Sequence, residues 1–362
     1  MSPKRPTPPH DLLALTAQMV DIASESRQEG PITAWFQAAL EAIRGLSVTR
    51  VGDNLVARTE LGRPYRIILA GHTDTVPAAD NAIARIEGDV LWGLGASDMK
   101  GGLAVMLELA RTIPTPAVDV TYVFYAREEI DAASSGLGEL FTERPDLLVG
   151  DAAVIGEPTA AAIEAGCQGT MHIEVELTGR RAHSARPWMG RNAVHRLGQL
   201  LALVDAMPER RPVLQGCEYR EALQAVAVEG GVARNVVPDR AQVTLNHRFA
   251  PDRTPDEAEA AVRALLDPVL DDGDRFERVE VADGAPPALD HPLLASLAGR
   301  HDLEIRAKLG WTDVARFARA GVPAVNLGPG DATFAHRADE HIERDYLDAT
   351  WFVLADLLTR GV

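Results

Sequence analysis

Cysteine is nearly absent from this chain: Cys167 and Cys217 are the only two in 362 residues. Two thiols build neither a disulfide framework nor a Cys-rich zinc module, and they suit a reducing compartment, so the cytoplasm is the expected location. Long apolar runs are missing too. None approaches the roughly 18 residues needed to cross a bilayer, and no membrane-spanning segment is expected. Basic residues are outnumbered, 36 Lys and Arg against 53 Asp and Glu, which gives a net charge of −17. That field repels polyanions and argues against general nucleic-acid binding and against docking on anionic membranes. The opening MSPKRPTPPH follows Lys4 and Arg5 with prolines instead of an apolar core, so it reads as a disordered lead-in and not as a secretory signal. Gly93-Leu94-Gly95 lacks the third glycine of a dinucleotide loop, which excludes a nicotinamide site.

What is present is an ordinary globular composition, 46% hydrophobic and 25% charged, at a length that favours two domains. Helical spacing appears over Asp11–Ile22, with Asp11 placed to cap, and over Ile32–Ile43 and Met99–Ile113. Asp98 stands just before the last of these, where a carboxylate favours a helix N-terminus. Apolar and β-branched runs predict buried strands at Ile67–Ala70, Asp119–Tyr125 and Asp151–Gly156. From about Gly169 the texture changes. Met171–Leu177 alternates strictly, as in a sheet with one wet face, and further strands are expected at 222–229, 241–249 and 275–281, with helices at 192–207 and 255–270. After DGAPPALDHP, helix–strand texture returns and a closing helix is expected over 345–359. The expected fold is α/β: a mixed-sheet domain with helices on both faces, built from residues 1–168 and 285–362. A smaller α+β domain, 169–284, interrupts it.

Chemistry in open α/β sheets collects just beyond the carboxyl ends of the strands. In RIILAGHTDTVPA the strand breaks at Gly71 and delivers His72 and Asp74, two residues apart, which read either as a metal ligand with its orienting partner or as a surface turn. The other strand ends deliver Glu128 and Glu129, and Glu157; Asp98 precedes a helix and His336 lies late in the chain. Imidazole with several carboxylates and no thiolate suits zinc, manganese or cobalt. The set exceeds what one tetrahedral ion needs and fits a two-ion hydrolase, with ions about 3.5–4 Å apart. Glu128 and Glu129 are neighbours pointing opposite ways, so one can bind metal while the other acts as a base.

The motifs HTDTVP, SDMKGG, REE, GEP and AHRADE resemble, in order and spacing, those of the co-catalytic metallopeptidase and aminoacylase superfamily. That group includes acetylornithine deacetylase, glutamate carboxypeptidase and a desuccinylase branch, to which LGWTDVARFARAGVPAVNLGPGDATFAHRADE and NHRFAPDR are most similar. The resemblance implies two zinc ions, with cobalt able to substitute. Asp98 would bridge them, His72 and Glu157 would complete one ion, and Glu129 and His336 the other. Asp74 would orient His72, and Glu128 would be the general base. The glutamate at Glu157 matches deacylase and desuccinylase members, where other branches place aspartate. The inserted domain would be a lid through which the chain forms a homodimer, and His183, in GRRAHSARPWMGR, would reach the partner's active site and donate to the oxyanion. His172, His195, His247 and His341 match no motif and read as structural or solvated.

The implied reaction is hydrolysis of an amide that releases succinate from N-succinyl-LL-2,6-diaminopimelate. Within the insert, Arg180, Arg181, Arg186, Arg191, Arg234 and Arg248 form a local excess of arginine in an acidic protein. Arginine suits bidentate carboxylate recognition, and a substrate with several carboxylates needs such a patch. At least half of them are expected to pair with acids or to serve the dimer. By resemblance, Asn235, Arg248 and the Gly328-Pro329-Gly330 loop touch substrate. One departure stands out: many desuccinylases carry a basic residue where this chain reads GCQGT, with Gln168. The rival readings are a deacylase of N-acetylornithine or another N-acyl amino acid, a metallocarboxypeptidase, and a metal-binding scaffold without turnover.

Overall fold

A computed structural model describes residues 7–362. The lead-in expected for the first residues falls largely outside that range. The chain forms two compact units. One holds the residues up to Ala165 together with Pro287–Arg306 and Arg316–Val362; the other holds Gly166–Pro286 and Ala307–Ala315.

The first unit is organised by an eight-stranded mixed sheet. Its strand order is Leu46–Val51, Asn54–Thr59, Asp119–Tyr125, Arg66–His72, Ala152–Ile155, Ala324–Asn326, Ile163–Ala165 and Ile305–Ala307. The central strands Asp119–Tyr125, Arg66–His72, Ala152–Ile155 and Ala324–Asn326 run parallel, so all deliver their carboxyl ends to one rim. Every residue of Asp119–Tyr125 is buried, as a strand covered on both faces requires. The helix Gly101–Thr112 packs against Leu12–Val20, Arg344–Arg360 and the strand Arg66–His72. Gly30–Glu41 packs on the antiparallel strands Leu46–Val51 and Asn54–Thr59.

One helix differs instructively from its sequence pattern. Gly101–Thr112 is buried on every side from Gly101 to Ala110, including Glu108, whose carboxylate accepts from the backbone N and Nδ1 of His10 at 3.2 and 2.8 Å. Lying between two helices and a strand leaves it no wet face. It also begins later than expected. Asp98 does not cap it: Asp98 sits in an irregular turn, Ala96–Lys100, at φ −121° and ψ 93°, and Lys100 occupies the N-cap position. Asp11, by contrast, caps Leu12–Val20 by accepting from the Ala14 amide at 3.3 Å.

The second unit contains a four-stranded antiparallel sheet ordered Ala222–Gly230, Arg240–Phe249, Gly169–Thr178, Arg275–Ala282. Strict alternation in Gly169–Thr178 buries Met171, Ile173, Val175 and Leu177 against the helices Ala193–Asp205 and Pro255–Leu266. Burying each such side chain contributes about 1.5–3 kcal/mol. Thr254 and Glu257 form a reciprocal capping box at the start of Pro255–Leu266. The stretch Ala307–Ala315, expected with the last part of the first domain, groups here instead. It is held by this unit: Gln168 N donates to Lys308 O at 3.2 Å, Cys167 Sγ to Thr312 O at 3.7 Å, and the Trp311 side chain, through Nε1, to Asp283 O at 3.1 Å. Among the described residues, no helix is long and apolar enough to cross a membrane.

Candidate metal centre

The rim of parallel strand ends in the first unit gathers the expected side chains. His72 closes Arg66–His72 and is buried. Its Nε2 lies 3.1 Å from Asp98 Oδ1, and its Nδ1 lies 3.0 Å from the main-chain oxygen of Asp74 and 3.5 Å from Asp74 Oδ1. Burial opposes a charge on the ring, but Asp74 and Asp98 outweigh it and raise its pKa. Asp98 offers its second oxygen to the other imidazole, with Oδ2 3.6 Å from His336 Nε2. His336 Nε2 is also 3.0 Å from Glu129 Oε1, a pairing that pushes its pKa up to about 9. Donor atoms of His72, Asp98 and Glu129 lie within 4.8 Å of one another. One carboxylate thus spans two imidazoles, one oxygen to each, which suits the donor set of two adjacent divalent cations.

Glu157 leaves the same rim just beyond Ala152–Ile155, whose Ile155 pairs with Ala70, and it is buried. It lies outside the 4.8 Å cluster. The Gly328-Pro329-Gly330 loop follows the strand Ala324–Asn326 and lies directly against the ligand loops. A Cβ at Gly328 would stand 2.2 Å from Gly156 O, and one at Gly330 2.2 Å from Ser97 O, so only glycine permits this approach.

Asp74 has a wider role than the sequence suggested. His72 takes its shortest contact from the Asp74 main chain, while the Asp74 carboxylate accepts from Glu128 N at 3.0 Å, Glu129 N at 3.1 Å and Ser26 Oγ at 2.7 Å. Burial alone would raise its pKa, but His72 and these donors prevail and lower it to about 2. The adjacent amide, Arg127 N, donates to the buried Glu29 at 3.1 Å. Two carboxylates from distant parts of the chain therefore hold three successive amides of the turn that carries Glu128 and Glu129.

Sequence reasoning passed over Glu29, Lys100 and Glu340. Lys100 is buried, donates to Ile22 O at 3.0 Å, and is lowered to about 8 by desolvation. Glu340 is buried and accepts from the amides of Gly95, Ser97 and Asp98; burial pushes its carboxyl up to about 7. Its position four residues after His336 in AHRADE was the available signal. Nothing in the sequence marks Glu29.

His183, Asn235 and Arg248 belong to the second unit. Ala182–His183 pairs with Val236–Val237, and Ser184 N donates to Asn235 O at 2.9 Å, which makes His183 and Asn235 neighbours. His183 is exposed, and its Nδ1 accepts from Ala185 N at 3.0 Å, which places the neutral ring's proton on Nε2 as a donor. Of the six arginines, Arg181 pairs with Asp239, Arg191 with Asp271, and Arg180 donates to Met189 O. The guanidinium groups of Arg186, Arg234 and Arg248 have no partner among the described residues. Arg248 is half-buried in its strand, and desolvation lowers its pKa.

Comparison with known proteins decides the family. A profile for Peptidase family M20/M25/M40 matches residues 68–360. The chain belongs to this family. A DapE protein of Mycobacterium tuberculosis is 49% identical over 352 residues, 97% of each chain. The succinyl-diaminopimelate desuccinylase of Corynebacterium glutamicum is 44% identical over 338 residues, 91% of each. Among solved structures, aminopeptidase PepT of Bacillus cereus aligns with a TM-score of 0.78 over 96% of this chain and 97% of its own, at 19% identity, a likeness of fold alone. Like these M20 proteins, the chain has a large mixed sheet with helices and a second unit.

Proposed function

We propose that this protein is a metal-dependent amide hydrolase that releases succinate from N-succinyl-LL-2,6-diaminopimelate. The observation that carries the reading is Asp98, whose two oxygens face His72 at 3.1 Å and His336 at 3.6 Å. The 44% identity to a desuccinylase over 91% of both chains directs the choice of substrate.

His72, Glu157 and Asp98 would hold one ion, and Glu129, His336 and Asp98 the other, zinc by preference and cobalt in substitution. Bound there, the ions would supply Lewis acidity to the acyl carbonyl and lower the pKa of water. The chain's own groups do the rest. Glu128, fixed through its amide to Asp74, takes a proton from water as the water oxygen bonds to the acyl carbon, and returns it to the leaving amine as the C–N bond breaks. Asp74 and Glu29 keep that turn from shifting. His183 acts in trans within a homodimer, donating from Nε2 to the oxyanion. Asn235, Arg248 and the Gly328–Gly330 loop contact substrate, and the free guanidinium groups of Arg186, Arg234 and Arg248 supply local positive charge for a tricarboxylate. Dimerisation would use the outer edge of Ala222–Gly230, where Val226 and Val228 are 57% and 54% exposed. The opposite edge, RFERVEVA, is charged. A cytoplasmic location accords with this chemistry.

A second reading, a deacylase of N-acetylornithine or another N-acyl amino acid, or a carboxypeptidase, is favoured by one observation. Gln168 is fully buried, and neither atom of its amide has a partner among the described residues. A neutral amide there suits a substrate with fewer carboxylates. A panel of N-succinyl-diaminopimelate, N-acetylornithine and a dipeptide, assayed with zinc or cobalt and with metal content measured on the same sample, separates the two. Brisk cleavage of the acetyl compound and none of the succinyl compound would overturn the first reading.

A further inference from the structure

The segment that supplies His336 also holds the loop that supplies Asp98, and it does so through one side chain. Glu340 is 1% exposed. Its Oε1 accepts from Ser97 N and Asp98 N, each at 3.0 Å, and its Oε2 from Gly95 N at 3.0 Å. Its main-chain oxygen accepts from Gly93 N, also at 3.0 Å. The turn it grips is irregular, with Asp98 and Met99 outside helical geometry, so these amides have no helical carbonyl to satisfy them. A second bond, from Ser97 Oγ to Asp331 O at 2.9 Å, ties the same turn to the same late segment. Glu340 itself is held in a tight turn by its amide, which donates to Arg337 O at 3.2 Å. The next residue, His341, packs between Trp92 and Phe334 with tilted rings whose centroids are 4.3 and 4.0 Å away.

We propose that Glu340 is a positioning residue that couples the two ion positions, by fixing Asp98 and His336 to each other through one rigid turn. A carboxyl group is the side chain suited to this task, because its two oxygens here accept from three amides at once. The two positions do not depend on it equally. His72 and Glu157 follow strands of the central sheet, so their side loses only the aim of Asp98 when Glu340 is changed. The Glu129–His336 side loses the aim of Asp98 and the seating of His336 together. Outer groups that orient ligands are worth about 10–100-fold in metal affinity. A glutamate that merely filled a buried space would change stability and leave the ratio of the two affinities alone.

The inference rests on the two-ion reading, and its test separates the two ideas. The intact metal-free chain and its Glu340→Gln variant are titrated with cobalt(II), followed by visible absorption and calorimetry, after circular dichroism confirms folding. The expected result is two equivalents in both proteins. The weaker dissociation constant rises about 10–100-fold in the variant and the tighter one changes by less than about threefold. At saturating cobalt, KM for substrate stays near the parent value. Should Glu340→Gln not fold, Glu340→Asp, which keeps both carboxyl oxygens but is shorter by one methylene, replaces it, with the same widening near tenfold. A parent chain that takes up fewer than two equivalents sinks the two-ion reading and this inference with it. A parent that binds two, with an unchanged ratio of constants in the variant, sinks the inference alone.

Discussion

Replacing Asp74 with asparagine preserves shape and removes only charge and accepting capacity. The carboxylate accepts from Glu128 N, Glu129 N and Ser26 Oγ at 3.0, 3.1 and 2.7 Å, and it is 1% exposed. An asparagine oxygen can keep one of the two amides, but its NH2 group must then face the other, donor against donor. The loss is one charged hydrogen bond, about 1.5–3 kcal/mol, plus one buried N–H without an acceptor, about 1–3 kcal/mol. The Ser26 hydroxyl can rotate to accept, so it adds little. The turn can relieve the clash by moving, and that carries Glu128 and Glu129 with it. A displacement near 1 Å costs about 100-fold in rate. Asp74→Asn should therefore lose about 3–5 kcal/mol of stability and about 100-fold in kcat, while Ser26→Ala loses about 1 kcal/mol and little activity. Urea unfolding and steady-state kinetics on the same metal-loaded samples measure both. An Asp74→Asn protein with kcat within threefold of the parent would refute the claim that this carboxylate holds the catalytic turn.

Glu128→Gln should keep both ions by elemental analysis yet lose on the order of 10²–10⁴-fold in rate, and near-normal turnover with both ions bound would remove its role as base. Mixing Glu128→Gln subunits with His183→Ala subunits should restore activity, because one mixed site keeps Glu128 and receives an intact His183; no recovery after confirmed exchange refutes the trans role. Val228→Lys should shift the chain from dimer to monomer in light scattering, and an unchanged mass moves the interface elsewhere. His247 is fully buried with neither ring nitrogen partnered among the described residues, and desolvation, with Arg253 nearby, lowers its pKa to about 4. The folded state resists its protonation, so its contribution is complete above the ordinary value of 6.5 and is lost as pH falls towards 4. That loss is up to about 3 kcal/mol. His247→Phe should flatten urea stability over that window, and an unchanged pH slope counts against it.

Periodicity and composition carried the elements well. The alternation of Met171–Leu177 became the buried face of Gly169–Thr178, and Pro255 opens its helix as expected. His72, Glu129 and Glu157 sit where parallel strands end, because a parallel sheet sends those carboxyl termini to one rim, while Asp98 and His336 come from loops. Sequence misjudged what depends on surroundings. Asp98 precedes an apolar run as a helix cap would, but it lies in an irregular turn, and its oxygens face His72 and His336. Likewise, the helical spacing over Met99–Ile113 did not show that neighbours enclose Gly101–Ala110 on every side.

The sequence by itself determined the family and the proposed chemistry: imidazoles and carboxylates in motifs whose order singles out one family, and a shortage of thiols that excludes a Cys-rich zinc module. The tertiary structure decided what holds them. Glu29, Asp74 and Glu340 come from distant segments to accept the amides of the turns that carry Glu128–Glu129 and Asp98. A short-range pattern cannot show this, because a buried carboxylate bound to a remote amide follows no spacing rule. Its place is set by where the chain returns in space, and in Glu340 that return joins the late His336 turn to the early Asp98 loop across 242 residues of sequence.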